Sequence, residues 1–338
     1  MVMIKDQLKR PIRDLRLSVT DKCNFRCPYC MPIDVYGDDY VFSPKSEILN
    51  FEEITRLAGL FARLGVNKIR ITGGEPLIRK DLENLVSELA GLKGVEDITL
   101  TTNGWLLADR AESLKKAGLN RVTVSLDSLD PKVFGELNGR GYGPERVLDG
   151  IRAAEVAGLT PLKINTVVKR SVNYESIVPL AEKFRNTGII IRYIEFMDVG
   201  TRNEWRLEEV VPSAELIALI NRQWPLTPLK PNYPGEVATR FRYQDGGGEV
   251  GVISSITQPF CGDCSRARLT TDGHLVTCLF APGGVSLRDR LRAGAGDDEL
   301  LEVITGIWRG RKDRYSEERT ENTPMSSRRR IEMYQIGG

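Results

Sequence analysis

Over its first two thirds the chain alternates between two hydrophobic periods. Short runs in which apolar and polar residues take turns, such as Leu15-Arg16-Leu17-Ser18-Val19-Thr20, are separated by stretches whose apolar residues recur every three or four positions. The first pattern sends successive side chains to opposite faces of a strand, and the second gives a helix one apolar stripe. Strands are expected at 14–20, 68–72, 97–102, 121–126, 162–168 and 189–196. Helices fill the gaps, for example 51–64, 81–90 and 108–117, the last ending at Gly118 as C-terminal capping favours. Such strand–helix alternation, repeating about every 25–30 residues, is the mark of a parallel sheet. Six units fall short of the eight that close a barrel. The expected fold class is therefore α/β, an incomplete (βα)6 barrel of the TIM-barrel-like kind with an open side.

Parity then separates the strand faces. Arg16, Ser18 and Thr20 share one face, and the same split groups Lys68, Arg70 and Thr72, then Thr99 and Thr101, Thr123 and Ser125, Lys163 and Asn165, and Arg192. A barrel without a polar ligand fills its interior with branched aliphatic residues. A basic, hydroxyl-bearing face buried without partners would be strongly unfavourable. Two arrangements meet that constraint: the polar face is solvated, or it lines a chamber that holds an anion. The segment Thr72-Gly73-Gly74-Glu75-Pro76 favours the chamber, because it follows the second strand at its carboxyl end, where barrel enzymes bind ligands and glycine permits close approach.

The last third changes character. Pro225, Pro228, Pro231 and Pro234 mark a linker or irregular crossing, and 241–280 reads as short strands turning at Gly246-Gly247-Gly248 and Asp272-Gly273. The expected division is a barrel domain over 1–225 and a C-terminal extension of short strands and helices over 226–338. A formal charge of +2 gives no footprint for nucleic acid. No apolar stretch resembles an export signal or a membrane span, so a cytoplasmic protein without membrane attachment is expected. With His274 as the only histidine, histidine acid–base catalysis has almost no material.

The six cysteines fall into two trios, Cys23, Cys27 and Cys30 in Cys-Asn-Phe-Arg-Cys-Pro-Tyr-Cys, and Cys261, Cys264 and Cys278. In a chain with no export signal they speak for metal or catalysis rather than disulfides. Three thiolates leave one iron of a four-iron cubane open to a non-protein ligand. Zinc would prefer a fourth Cys or His close by, and none follows Cys30 before Cys261. At the second trio His274 could complete a tetrahedral zinc set, so that alternative stays open there. Against it stand Arg266 and Arg268, two residues apart beside the cysteines, whose forked guanidinium groups suit phosphate oxygens.

The Cys-x3-Cys-x2-Cys spacing with Tyr29 before the last cysteine, together with Gly73-Gly74-Glu75, resembles the signature of the radical S-adenosylmethionine superfamily. Adding the second trio, Arg266 and Arg268, and the terminal Gly337-Gly338, nearly the whole chain is similar to the GTP 3',8-cyclases, lyases that open molybdenum cofactor biosynthesis. That resemblance implies two [4Fe-4S] clusters, one on Cys23, Cys27 and Cys30 and one on Cys261, Cys264 and Cys278. It implies S-adenosylmethionine contacts at Tyr29, Gly74, Ser125 and Met197, and GTP contacts at Arg16, Arg70, Thr101, Lys163, Arg192, Arg266 and Arg268. The first trio and the Arg266–Arg268 pair would carry the catalysis: a 5'-deoxyadenosyl radical takes hydrogen from C3' of GTP, and C3' then joins C8 of guanine. The family further implies a homodimer, a flavodoxin or ferredoxin as reductant, and cyclic pyranopterin monophosphate synthase as the next enzyme. A peptide- or sulfatase-modifying radical enzyme with an auxiliary cluster is the alternative, although such enzymes usually carry more cysteines after the barrel. For the tail from Ser326 to Gly338 three readings remain: a solvated arginine run, a sulfur-carrier-like diglycine end, or a segment that reaches into the active site, as the resemblance implies.

Overall fold

A computed structural model describes residues 3–319 and 330–337. Six parallel strands succeed one another in chain order: β1 (Asp14–Ser18), β2 (Lys68–Thr72), β3 (Asp97–Thr102), β4 (Arg121–Ser125), β5 (Lys163–Val168) and β6 (Ile190–Glu195). Each lies within two residues of its expected bounds. Six further strands follow: β7 (Leu226–Leu229), β8 (Thr239–Tyr243), β9 (Glu249–Ile253), β10 (Arg266–Leu269), β11 (His274–Val276) and β12 (Val285–Ser286). All twelve form one sheet in the order β12-β11-β10-β1-β2-β3-β4-β5-β6-β9-β8-β7, which does not close on itself.

The C-terminal strands enlarge the barrel sheet at both edges. β9 pairs in parallel with β6, and β10 pairs in parallel with β1, placing Arg16 opposite Arg268 and Arg70. The parallel row is thus longer than the six strands of the alternating region. β9 and β10 are neighbours in sequence but stand at opposite ends of that row. Residues 254–265, which carry Cys261 and Cys264, therefore cross the open side of the barrel. The proline-rich stretch is no simple linker. Pro228 sits in β7, which pairs only with β8 at the sheet margin, a place where a missing amide costs no ladder bond, and residues 231–237 run on as an irregular loop.

Helices α1 (Phe51–Arg63), α2 (Leu82–Ala90) and α3 (Ala111–Lys116) follow β1 to β3. The first is set by a capping box in which Asn50 and Glu53 exchange side-chain and backbone bonds. The third is shorter than its apolar period, beginning at Ala111, because residues 105–110 form a turn instead. Leu15, Leu17, Ile69, Ile71, Leu100, Val124, Ile164 and Ile191 are buried in the continuous core with residues of these helices. That packing leaves Arg16, Arg70, Thr101, Lys163 and Arg192 for the inner face. No helix among the described residues is long and apolar enough to cross a membrane.

Candidate active site: a cationic cavity between two cysteine trios

The inner face encloses a cavity of about 440 Å³. Arg16 reaches it from β1, Arg70 from β2, Thr101 from β3, Ser125 from β4, Lys163 from β5, Arg192 from β6, and Arg266 and Arg268 from β10. Eleven basic side chains line it against six acidic ones, an excess that suits a polyanion. Asp14, buried among Lys68, Arg16, Arg70 and Arg266, neutralises the central group only in part. Among the described residues the buried Nε atoms of Arg16 and Arg70 have no hydrogen-bond partner, and Arg70 donates only to hydroxyls, that of Thr101 at 2.9 Å and that of Thr123 at 3.4 Å.

The electrostatic consequence is a set of cations held in discomfort. Burial, then the charges of Arg268 and Arg70, push Arg16 well below its ordinary value. Burial, then Arg192, Arg121, Lys68 and Arg70, lowers Lys163 to about 7. Burial and Arg70 lower Arg192 to about 9, and burial and Arg266 lower Arg268 to about 10. An anion entering this space would offset the like-charge repulsion and favour the charged form of each group.

A second pocket of about 120 Å³ lies at the carboxyl ends of β2 to β4, lined by Cys23, Cys27, Cys30, Gly73, Gly74, Asn103 and their neighbours. Tyr29, Thr101, Ser125, Asp127 and Met333 line both spaces, so the two adjoin. Tyr29 is fixed there by a hydrogen bond from its hydroxyl to Asp127 Oδ2 at 2.7 Å. Met197 belongs to the large cavity alone.

Local contacts explain why the first trio is presented this way. The amide of Gly74 donates to Thr20 O at 2.7 Å and that of Glu75 to Lys22 O at 2.8 Å, so the glycine turn is clamped onto the residues leading into Cys23. A Cβ on Gly74 would lie 2.3 Å from Lys22 O, which leaves room for glycine only. Buried Arg26 donates to Cys23 O at 2.7 Å and to Phe25 O at 2.8 Å, gathering the loop from within. Glu75 is itself buried, accepting from the Leu77 and Asn103 amides and the Thr102 hydroxyl, and burial lifts it to about 7.

The donor sets fit thiolate-held clusters. All six cysteines are free thiols, each partly accessible. Burial and the charge of Glu75 push Cys23 to about 12, and burial and the mutual repulsion of the trio raise Cys27 well above its ordinary value. Thiols gathered without a counter-cation are what a metal cluster would relieve. Cys261, Cys264 and Cys278 line the large cavity from its open side. The zinc alternative loses its fourth ligand: His274 Nδ1 faces Asp272 Oδ2 at 3.0 Å, and His274 is no part of the cavity wall. Among the described residues no three His, Cys, Asp or Glu side chains converge on one ion position, and each cysteine trio instead borders a pocket.

Every cysteine and every S-adenosylmethionine or GTP contact expected from the sequence borders one or both spaces; Ser18, Thr20, Glu75, Thr99, Thr123 and His274 border neither, and Gly338 and Ser326 to Arg329 lie outside the described residues. The penultimate Gly337 is in place: its carbonyl accepts from Arg268 at 2.9 Å, and Met333 four residues earlier borders both spaces. Sequence reasoning missed Arg121, which parity would have supplied as the first member of the Arg121-Thr123-Ser125 face. It is paired with Asp97, Nε to Oδ1 at 3.0 Å. It also missed Arg311 and Asp198, whose roles arise from contacts distant in sequence.

Comparison with known proteins agrees with this geometry. Residues 17–184 match the model of the Radical SAM superfamily, and residues 189–317 match that described as Molybdenum Cofactor Synthesis C. A GTP 3',8-cyclase of Acidothermus cellulolyticus is 56% identical over 318 residues, covering 93% of this chain and 88% of that protein. One from Staphylococcus aureus is 48% identical over 337 residues, 99% of either chain. The solved structure of Streptococcus suis SuiB bound to precursor peptide SuiA has a TM-score of 0.61 at 17% identity, and the match spans 88% of this chain and 64% of that one, a likeness of fold alone. With two cyclases aligned along nearly its entire length, the chain belongs to the GTP 3',8-cyclase family of the radical S-adenosylmethionine superfamily.

Proposed function

We propose that this chain converts GTP to 3',8-cyclo-7,8-dihydroguanosine triphosphate, using S-adenosylmethionine and two [4Fe-4S] clusters. The observation that carries the reading is the adjacency of the cysteine-lined pocket and the net-cationic cavity, which share Tyr29, Thr101, Ser125, Asp127 and Met333 as a common border. Cys23, Cys27 and Cys30 would hold one cluster, and Cys261, Cys264 and Cys278 the other. When bound, these groups supply one-electron cleavage of S-adenosylmethionine on one side and a metal site for the guanine edge on the other.

The protein's own contribution is placement. Arg16, Arg70, Lys163, Arg192, Arg266 and Arg268 receive the triphosphate, because polyphosphate taken from water needs several cations at once. Thr101 adds a hydroxyl beside Arg70. Tyr29, Gly74, Ser125 and Met197 hold S-adenosylmethionine, with Tyr29 kept in position by Asp127. Fixing both molecules in adjoining spaces sets C3' of the ribose near the radical source, and the surrounding wall limits access of competing quenchers. In this reading residues 1–225 provide the radical chemistry, and residues 226–338 complete the substrate chamber. The protein works in the cytoplasm as a homodimer, takes electrons from a flavodoxin or ferredoxin, and passes its product to cyclic pyranopterin monophosphate synthase.

The test is anaerobic incubation of the reconstituted protein with GTP, S-adenosylmethionine and dithionite, followed by mass spectrometry. The expected result is 5'-deoxyadenosine together with an isomer of GTP. Formation of 5'-deoxyadenosine with no GTP-derived product would keep the radical class and discard the substrate.

A further inference from the structure

The second cysteine trio is not treated evenly by its surroundings. Two guanidinium groups point at the sulfur of Cys264: Nη2 of Arg266 and Nη2 of Arg311, each at 3.1 Å. No side-chain donor reaches the sulfur of Cys261 or Cys278 among the hydrogen bonds of the described residues. Arg266 lines the cavity from β10, and its guanidinium stands 5.0 Å from the ring of Phe260. Arg311 is anchored. Its side chain is 1% exposed, and its Nη1 donates to Cys264 O at 2.6 Å and lies 3.4 Å from Asp6 Oδ2. Its guanidinium also stacks over buried Trp308 at 4.6 Å.

Asp6 does more than pair with Arg311. Its Oδ2 also accepts from Arg10 Nε at 2.6 Å, and Arg10 Nη1 reaches back to Cys261 O at 2.7 Å and Asp313 O at 2.9 Å. One buried carboxylate therefore braces two arginines, and between them these bind the backbone at both ends of Cys261-Gly262-Asp263-Cys264. A buried cation and N–H···S bonds favour whichever state of a thiolate-held cluster carries more negative charge, namely the reduced one.

We propose that Arg311, braced by Asp6, is a positioning residue for the second iron–sulfur cluster that raises its reduction potential through Cys264. This inference rests on the reading of the second trio as cluster ligands. Arg266 is shared between the sulfur and the cavity, whereas Arg311, which also borders the cavity, is held at the sulfur by Asp6 and Cys264 O, so the effect persists when substrate draws Arg266 away. Replacing Arg311 by Met removes charge and donor, and replacing it by Lys keeps the charge while losing the fork.

The experiment compares the reconstituted wild-type, Arg311→Met and Arg311→Lys proteins by iron and sulfide analysis and by an EPR-monitored redox titration of the second cluster, made in a background where Cys23, Cys27 and Cys30 are Ala. The expected result is full occupancy of that cluster and, in Arg311→Met, a reduction equilibrium at least tenfold less favourable, about 59 mV for one electron, with Arg311→Lys in between. An unchanged potential at full iron content would overturn the inference and leave the cluster assignment intact. Absence of iron from the wild-type second trio would overturn both. Should Arg311→Met fail to load iron, the potential of Arg311→Lys decides: a shift to lower potential supports the inference, and a wild-type value overturns it.

Discussion

Arg268 donates a hydrogen bond to the carbonyl oxygen of Gly337 across 2.9 Å, joining a cavity arginine to the penultimate residue of the chain. Gly337 adopts a φ of 62°, and a Cβ there would come within 2.1 Å of Thr72 on β2. A larger residue cannot take this seat. Gly337→Val is expected to reduce GTP turnover at least tenfold while iron content stays at the wild-type level, and residues appended after Gly338 should act in the same direction. Turnover and iron analysis on the same preparations check this; wild-type turnover in both variants would remove the tail from the reaction.

Lys163 makes the affinity for GTP depend on pH. Burial and the neighbouring arginines hold it at about 7 in the free protein. Bound phosphate favours the charged amine and raises that value, so binding above pH 7 must take up a proton. The sign follows: affinity is full below pH 7 and falls as pH rises, by up to about tenfold per unit, until the pH passes the value of the bound form. Titrations of GTP from pH 6.5 to 8.5, with Lys163→Met as reference, should show a slope that the variant lacks. Parallel curves would place the proton elsewhere, on GTP itself for example.

Arg266 and Arg268 supply adjacent charged forks on the β10 face that meets β1. A charge-assisted hydrogen bond contributes about 1.5–3 kcal/mol, so the double change to Ala should weaken GTP binding by about a hundredfold or more. Cleavage of S-adenosylmethionine should continue, since its pocket lies on the other side of the shared border. Equilibrium dialysis with GTP and chromatographic assay of 5'-deoxyadenosine separate the two effects. Unaltered dialysis curves would take both arginines out of the binding site.

The glycine turn is expected to matter for cluster assembly before it matters for catalysis. In Gly74→Ala the added methyl would overlap Lys22 O, the carbonyl directly before Cys23. The loop must shift, and the iron bound by the first trio should fall while that of the second remains. Iron analysis against a variant with the first trio changed to Ala reads this directly, and normal iron in Gly74→Ala would show that the turn can yield.

Much of this was legible in the chain because the information was local. Alternation within Leu15-Arg16-Leu17-Ser18 fixes both a strand and the face that Arg16 takes, and six repeats of that rule place the cavity wall. Cysteine spacing carries chemistry in the same local way. What escaped depends on contacts between distant residues. Nothing in the neighbourhood of β9 and β10 tells that they join opposite edges of one sheet, so the bridging of the open side by Cys261 and Cys264 was hidden. Arg311 lies 47 positions from the sulfur it meets. His274 could be read as a zinc ligand until its pairing with Asp272 placed it outside the cavity wall.

Asp198 supplies the last test, because it ties the tail to the chamber wall. It is 2% exposed and follows Met197 directly. The Tyr315 hydroxyl donates to its Oδ2 at 2.6 Å, Arg319 lies 2.7 Å from its Oδ1, and Arg330 lies 3.2 Å from its Oδ2. Arg330 continues into Glu332, whose carboxylate accepts from the Thr201 amide at 3.1 Å, and into Tyr334, packed with Tyr36 and Met31. Removing one member of a buried ion pair costs about 3–5 kcal/mol, since its partner is left uncompensated. Asp198→Ala and Arg330→Met should therefore each lower both the unfolding midpoint and turnover. The double variant should lose less than the sum of the two single losses, because both remove the Asp198–Arg330 contact. Thermal unfolding and GTP turnover of the four proteins complete the cycle. Strictly additive losses would mean that Asp198 and Arg330 act separately and that the tail is held by its other contacts.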